Sequence, residues 1–294
     1  MDSKEIDLWV ARIREEGSRE FCATEEYMDP FEPAMFNFQS VVANRFVRIE
    51  GEGFAPFYCY FQPCFDKEAP LIVHTPGYYG EMCMHPELAQ YFHVLHINPL
   101  GYTTPKGKDH ARLPEDMVPG VFAETMNSGA EKGYFEWLAD CVMAVRWALK
   151  QPKVYPDRVS FFGTSQGGGA SLLLSSIFND ITRAVASNEP FLTNFELAAG
   201  RGAYDIGREQ YKDADMEKVE KAKYLLDTTH HVHRISCPVL LASGGKDDTC
   251  PPETAADLFS RFSGTKSYTH FEHLGHGYNR EFLQLVKAWF LIYA

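Results

Sequence analysis

No apolar run in this 294-residue chain approaches the ~20 residues needed to span a bilayer. The amino terminus, Met1 to Asp7, has no apolar leader core. Export by a signal peptide is therefore not expected, and a cytoplasmic location is. Basic residues are scarce: 28 Lys and Arg stand against 40 Asp and Glu, a net charge of −12. Without clustered Lys and Arg, a nucleic-acid partner and an anionic membrane are both excluded. There is no CxxC pair. The seven cysteines, spread from Cys22 to Cys250, are odd in number and read as reduced thiols rather than a disulfide framework. No internal repeat or low-complexity stretch occurs.

What the chain does have is apolar material, 45% of its residues, enough for one large α/β domain over residues 1–294. Residues 1–44 read as an N-terminal surface helix, charged with apolar Ile6, Leu8, Trp9, Val10 and Ile13, followed by an aromatic, proline-bearing arm. Strands are expected at Arg45–Glu50 and Pro56–Gln62. From residue 69, short continuous apolar runs (71–74, 94–97, 159–162, 184–186, 239–242) alternate with helical stretches such as 134–150 and 168–178. That pattern predicts a parallel sheet covered on both faces. Sites in such sheets lie outside the carboxyl ends of the strands. Two stretches break the alternation: 101–133, rich in Pro and Gly, reads as a long loop, and 190–235 as a helical cap-like insertion.

The segment Val159-Ser160-Phe161-Phe162-Gly163-Thr164-Ser165-Gln166-Gly167 contains G-x-S-x-G between a strand and a helix. This spacing permits a sharp, strained turn, because only small residues beside the serine avoid a clash. It makes Ser165 the candidate nucleophile. A serine needs a base, and the base an orienting acid, in chain order Ser, Asp or Glu, His. The strand at 238–243 leads into Asp247 and Asp248. The strand at 267–272 leads into His273 and His276, the latter set between Gly275 and Gly277. Either aspartate can supply the acid, whereas His276 is preferred as the base, with His273 as the alternative.

Taken together, Ser165-Gln166-Gly167-Gly168-Gly169, Asp247-x-x-Cys250-Pro251-Pro252, Glu189-Pro190-Phe191-Leu192 and Gly77-Tyr78 resemble motifs of the acetyl xylan esterase / cephalosporin-C deacetylase family. The resemblance covers roughly residues 45–294. It implies an α/β-hydrolase fold and a serine esterase acting on short acetyl esters of sugars or small alcohols through an acyl-enzyme. It further implies an oxyanion hole from the backbone N–H groups of Gln166 and Tyr78, and it favours Asp247 over Asp248. A homo-oligomer is compatible with it. The sequence departs from the family at Asn98-Pro99-Leu100-Gly101, where Asp-x-Arg-Gly is usual, and at Gly277, where Glu is usual; both touch the rim of the site.

Tyr79 and Phe191, each just past a strand end, are candidates to line the substrate pocket. Two histidine groups, His230-His231-x-His233 and His270-x-x-His273-x-x-His276, do not read as a zinc site, which needs converging side chains and usually a carboxylate or thiolate: the first lies in a polar connector and is expected to be solvated, and the second contains the candidate base. No metal and no cofactor is expected, and the partner is a small-molecule ester. The competing readings are another acyl hydrolase or peptidase of the same fold, and a non-catalytic binding protein.

Overall fold

The apolar runs form the centre of one sheet. The structure, a computed structural model, describes residues 3–26, 45–65, 67–78, 85–98, 120–206, 208 and 211–294. The arm at 27–44, Tyr79 and residues 99–119 lie outside the described residues. Among the described residues the strands are β1 (Cys22–Glu26), β2 (Arg45–Gly51), β3 (Phe54–Gln62), β4 (Ala69–Thr75), β5 (His93–Asn98), β6 (Val154–Thr164), β7 (Thr182–Asn188), β8 (Val239–Gly244) and β9 (Lys266–Phe271). Their spatial order is β1-β2-β3-β5-β4-β6-β7-β8-β9. The first three strands and the β3–β5 pair are antiparallel; from β5 onward all pairs are parallel.

Side chains alternate along each strand, so each central strand feeds two cores. Leu71, Val73, Val159, Phe161, Val185 and Leu241 point to one face. Ile72, Phe162, Ala184, Ala186 and Leu240 point to the other. Both sets are apolar, which explains why these strands read as continuous runs rather than alternating ones. The first face is covered by α1 (Ser3–Glu16), α4 (Tyr134–Leu149) and α5 (Gln166–Ile177), the second by α2 (Pro86–Ala89) and α9 (Arg280–Tyr293). In α1, Ile6, Trp9, Val10 and Ile13 recur at one helical face and are buried. The Trp9 indole donates to the Ala130 carbonyl at 3.0 Å.

Two expectations change. The stretch 101–133 is not all loop: Gly120–Ser128 forms α3, with Val121, Phe122, Thr125 and Met126 buried. Its Gly and Pro content masked a one-faced helical period carried by only a few residues. Strand β1 was not foreseen, because CATEE is exposed at the sheet edge and lacks an apolar signature. Between β7 and β8 the chain forms α6 (Gly202–Ile206), α7 (Met216–Leu226) and a 3-10 helix at Thr228–Arg234. The remaining helix, α8 (Pro252–Arg261), follows β8.

Strand β4 sits between β5 and β6, so the connections leaving β4 and β5 diverge. Such a switch point opens a crevice at the carboxyl ends of the strands. Thr75 ends β4 and Thr164 ends β6, next to each other at that edge.

Candidate active site

Ser165 stands at this edge between β6 and α5, with φ 61° and ψ −122°. A non-glycine residue in this region carries strain of about 1–3 kcal/mol and persists only when its surroundings fix it. They do so here through the backbone. The Ser165 N–H donates to the Asn188 carbonyl at 2.9 Å, and the Ser165 carbonyl accepts from the N–H groups of Gly169 and Phe191, each at 3.0 Å. The flanking glycines are steric requirements. A Cβ on Gly167 would lie 2.0 Å from the Thr75 carbonyl oxygen, and one on Gly163 would lie 2.5 Å from the Gly167 backbone.

The acid and base meet after β8 and β9. His276 Nδ1 lies 2.8 Å from Asp247 Oδ2. Asp247 Oδ1 accepts from the Thr249 and Cys250 N–H groups at 2.9 and 2.8 Å. These donors fix the carboxylate so that one oxygen serves the turn and the other serves the imidazole. With the proton on Nδ1, directed at Asp247, Nε2 keeps its lone pair. Burial lowers the His276 pKa, but the Asp247 hydrogen bond and the charges of Asp247, Glu189 and Asp248 outweigh it and raise the imidazole above its usual value. Asp248 and His273, the alternatives, are both exposed.

Two bridges join this pair to the serine. Cys250 has its thiol beside the Ser165 side chain, while its own N–H is held by Asp247. Asn188, whose carbonyl holds Ser165, donates its Nδ2 to the Gly277 carbonyl at 3.2 Å. The described geometry thus gathers Ser165, Asp247 and His276 around the ends of β6, β7 and β8.

Glu189 opens the Glu-Pro-Phe-Leu motif, but the sequence alone assigns it no role. It directly follows β7, has φ 47° and is buried. Its Oε2 accepts from the Gly277 N–H at 2.8 Å and lies 3.4 Å from His276 Nδ1. Burial, reinforced by the charge of Asp247 and opposed by the Gly277 hydrogen bond, pushes its carboxyl up to about 7. A strand-end carboxylate at the same sheet edge was the available signal. Tyr278 was also missed: its hydroxyl accepts the Gly77 N–H at 3.0 Å and so ties the turn after β4 to the histidine loop.

Gln166 opens α5, where backbone N–H groups lack intrahelical partners and the helix dipole favours negative charge. Its buried side chain is engaged elsewhere, accepting from the Tyr134 hydroxyl at 2.8 Å. Tyr78 follows Gly77, whose Cα substituent would point to within 3.8 Å of the Ser165 Cβ. Phe191 is buried, its ring packed on Phe122 of α3 and Tyr204 of α6 at centroid distances of 5.4 and 4.8 Å. Tyr79 lies outside the described residues. Of the histidine groups, His231 is buried and bonded to Ser176 Oγ and the Leu225 carbonyl, whereas His233 is exposed beside Asp7. Two surface grooves, of about 520 and about 350 Å³, border α7 and include Phe195 and Lys223; neither includes Ser165, Asp247 or His276.

A mostly parallel sheet in this strand order, with a strained serine turn after its central strand, is an α/β-hydrolase fold. The chain belongs to the acetyl xylan esterase (AXE1) family, whose profile matches residues 32–293. That family is one of carboxylic ester hydrolases. The chain is similar to acetyl esterase Axe7A of Xylanibacter ruminicola, with 30% identity over 128 residues, 43% of this chain and 29% of that protein. The match thus spans under a third of that relative's length. In structure it is similar to acetyl xylan esterase 1 from Thermoanaerobacterium sp. JW/SL YS485, at a TM-score of 0.79 and 20% identity, covering 98% of this chain and 93% of the other. It is equally similar to the acetyl xylan esterase from Paenibacillus sp. R4, at a TM-score of 0.80 and 20% identity over 100% and 96% of the two chains. At these identities the likeness is one of fold.

Proposed function

We propose that the protein is a serine esterase that removes short acyl groups, acetyl first, from sugars or related small alcohols. The observation that carries this reading is the 2.8 Å contact between His276 Nδ1 and Asp247 Oδ2, placed beside the strained Ser165 turn. Family membership and the likeness to an acetyl esterase support the choice of acetyl.

In this mechanism Ser165 Oγ attacks the ester carbonyl carbon while His276 Nε2 takes the hydroxyl proton. Asp247 keeps the imidazole in the required tautomer and stabilises the imidazolium. The tetrahedral oxyanion is met by the backbone N–H groups of Gln166 and Tyr78, donors already fixed by the fold. Collapse expels the alcohol, which receives the proton from His276. Water, deprotonated by the same histidine, then releases the acid and restores Ser165. In this reading Phe191 and Tyr78 wall the acyl pocket, with Tyr79 a further candidate to line it.

The test is a series of aryl esters of rising acyl length, together with acetylated sugars. An aromatic wall opposes added methylenes by overpacking, at a cost of about 1–3 kcal/mol, or roughly one to two powers of ten in rate. Acetyl esters should turn over fastest, with a steep fall by butyryl. A preference for octanoyl over acetyl would refute the deacetylase reading.

A further inference from the structure

Below the turn that follows β4 lies a second polar group, unused by the chemistry above. His74 of β4 and His96 of β5 are register partners on adjacent parallel strands and project to the same face. His85 precedes α2 on that face. All three are buried, at 1%, 1% and 3% exposure. One ring nitrogen from each lies within 4.8 Å of the other two.

The six ring nitrogens sort into two sets. Three are turned to oxygen partners outside the cluster. His96 Nε2 lies 2.8 Å from Gln62 Oε1, His74 Nε2 lies 3.5 Å from the Tyr278 hydroxyl, and His85 Nδ1 lies 3.6 Å from Glu87 Oε1. The remaining three are left for one another. His74 Nδ1 and His96 Nδ1 are 3.1 Å apart, and His85 Nε2 is buried with no hydrogen-bond partner among the described residues. A single shared proton satisfies the first two but leaves His85 Nε2 unpaired, a costly condition for a buried polar atom.

One ion would satisfy all three. Nitrogens bound at about 2.0–2.1 Å to a tetrahedral centre stand roughly 3.3 Å apart, close to the spacing of the two Nδ1 atoms. Metal-bound histidines also characteristically give their other nitrogen to a carboxylate, carbonyl or hydroxyl, which fixes the ring and raises its basicity. The outer set here, Gln62, Glu87 and Tyr278, has that character. Phe162, with its ring 4.7 Å from that of His74 and 5.2 Å from that of His85, makes one wall apolar.

We propose that His74, His85 and His96 form a binding site for a divalent transition-metal ion, zinc or a close neighbour, with one coordination position not supplied by the described residues. Imidazole donors select such ions over magnesium or calcium, which require oxygen. The site braces the oxyanion turn rather than taking part in bond making. His74 carries the ion's position to Tyr278, and Tyr278 holds the Gly77 N–H.

The neighbouring group of Glu189, Asp247 and His276 also clusters ligand atoms, so the experiment must separate the two. The chelator-stripped full-length protein is titrated with cobalt(II), followed by visible absorption, and then with zinc in competition. Bound metal is counted by plasma mass spectrometry after dialysis. The wild type should retain one ion per chain and show the intense visible bands of a low-coordinate cobalt site. His85→Ala, which alters no strand, should weaken retention by at least about 100-fold. Glu87→Gln should weaken it by roughly 10–100-fold, the usual effect of an outer partner, and decides the matter if His85→Ala fails to fold. His276→Ala should retain the ion. Absence of bound metal in the wild type, or loss of it in His276→Ala with full retention in His85→Ala, would overturn the proposal. The ester-hydrolysis reading stands or falls separately, by the acyl-length series.

Discussion

At the residue scale, the site depends on which side chain each hydrogen bond selects. Asp247 is buried, accepts two backbone N–H groups and faces His276, while Asp248 is exposed one position on. Asp247→Asn should therefore lower kcat by about 10³-fold or more, with Asp248→Asn near wild type. Comparable losses in both would contradict the assignment. Glu189 yields a sharper test through pH. Its carboxyl ionises near 4.5 when unfolded and is pushed up to about 7 in the native state. Between these values the native protein holds a proton that the unfolded chain releases. This group's contribution to stability thus falls as pH rises through the window and is level above it. Glu189→Gln removes that decline, so its melting temperature relative to wild type should climb between about pH 5 and pH 7. Glu189 also helps raise His276. The acid limb of kcat/KM should accordingly move to lower pH in the variant. A difference curve flat with pH would show that Glu189 does not titrate there.

The candidate serine and acid stood out in the sequence because each sits just past an apolar run with glycines around it, and the candidate histidine because it lies between Gly275 and Gly277 after β9. Glu189 showed only as a strand-end carboxylate with no role attached, and Tyr278 and the three clustered histidines gave no such signal. His74 and His96 look like polar interruptions in strands until register places them side by side, and His85 joins them from 11 residues downstream of His74.

At the element scale, the central strands declared themselves because both faces are buried, whereas β1 did not because neither is. Helix α1 was visible from its apolar stripe, and its docking can be tested. Trp9 is buried against the helical face and donates to Ala130 at the end of the α3 region. Trp9→Ala should cost about 3–5 kcal/mol, the usual range for a buried aromatic truncation, measured by denaturant unfolding. A loss below 1 kcal/mol, roughly the size of an exposed change, would show that α1 is loosely attached. Helix α3 reaches the proposed pocket wall through Phe122, which packs at a tilt against Phe191 and stacks on Phe195. Phe191 is the link between this aromatic cluster and the serine, because its own N–H holds the Ser165 carbonyl. Phe191→Ala should flatten the acyl-length profile while preserving acetyl turnover within about tenfold. An unchanged profile would remove Phe191 from the pocket wall.

At the scale of the whole molecule, the sheet order matters most. Placing β4 between β5 and β6 brings the Gly77 turn and the Ser165 turn to one edge, and the parallel neighbours β7 and β8 deliver Glu189 and Asp247 to it. The alternation of runs and helices was enough to infer such a sheet, but not the neighbours of each strand, which depend on contacts remote in sequence. The central claim is that Ser165 is a nucleophile activated by this arrangement. Its most direct measurement is intact-mass and peptide mapping after reaction with a fluorophosphonate. The account predicts one adduct per chain, located on Ser165 and absent from Ser165→Ala and strongly slowed in His276→Ala. A wild-type protein that stays unmodified, or one modified at another residue, would contradict it.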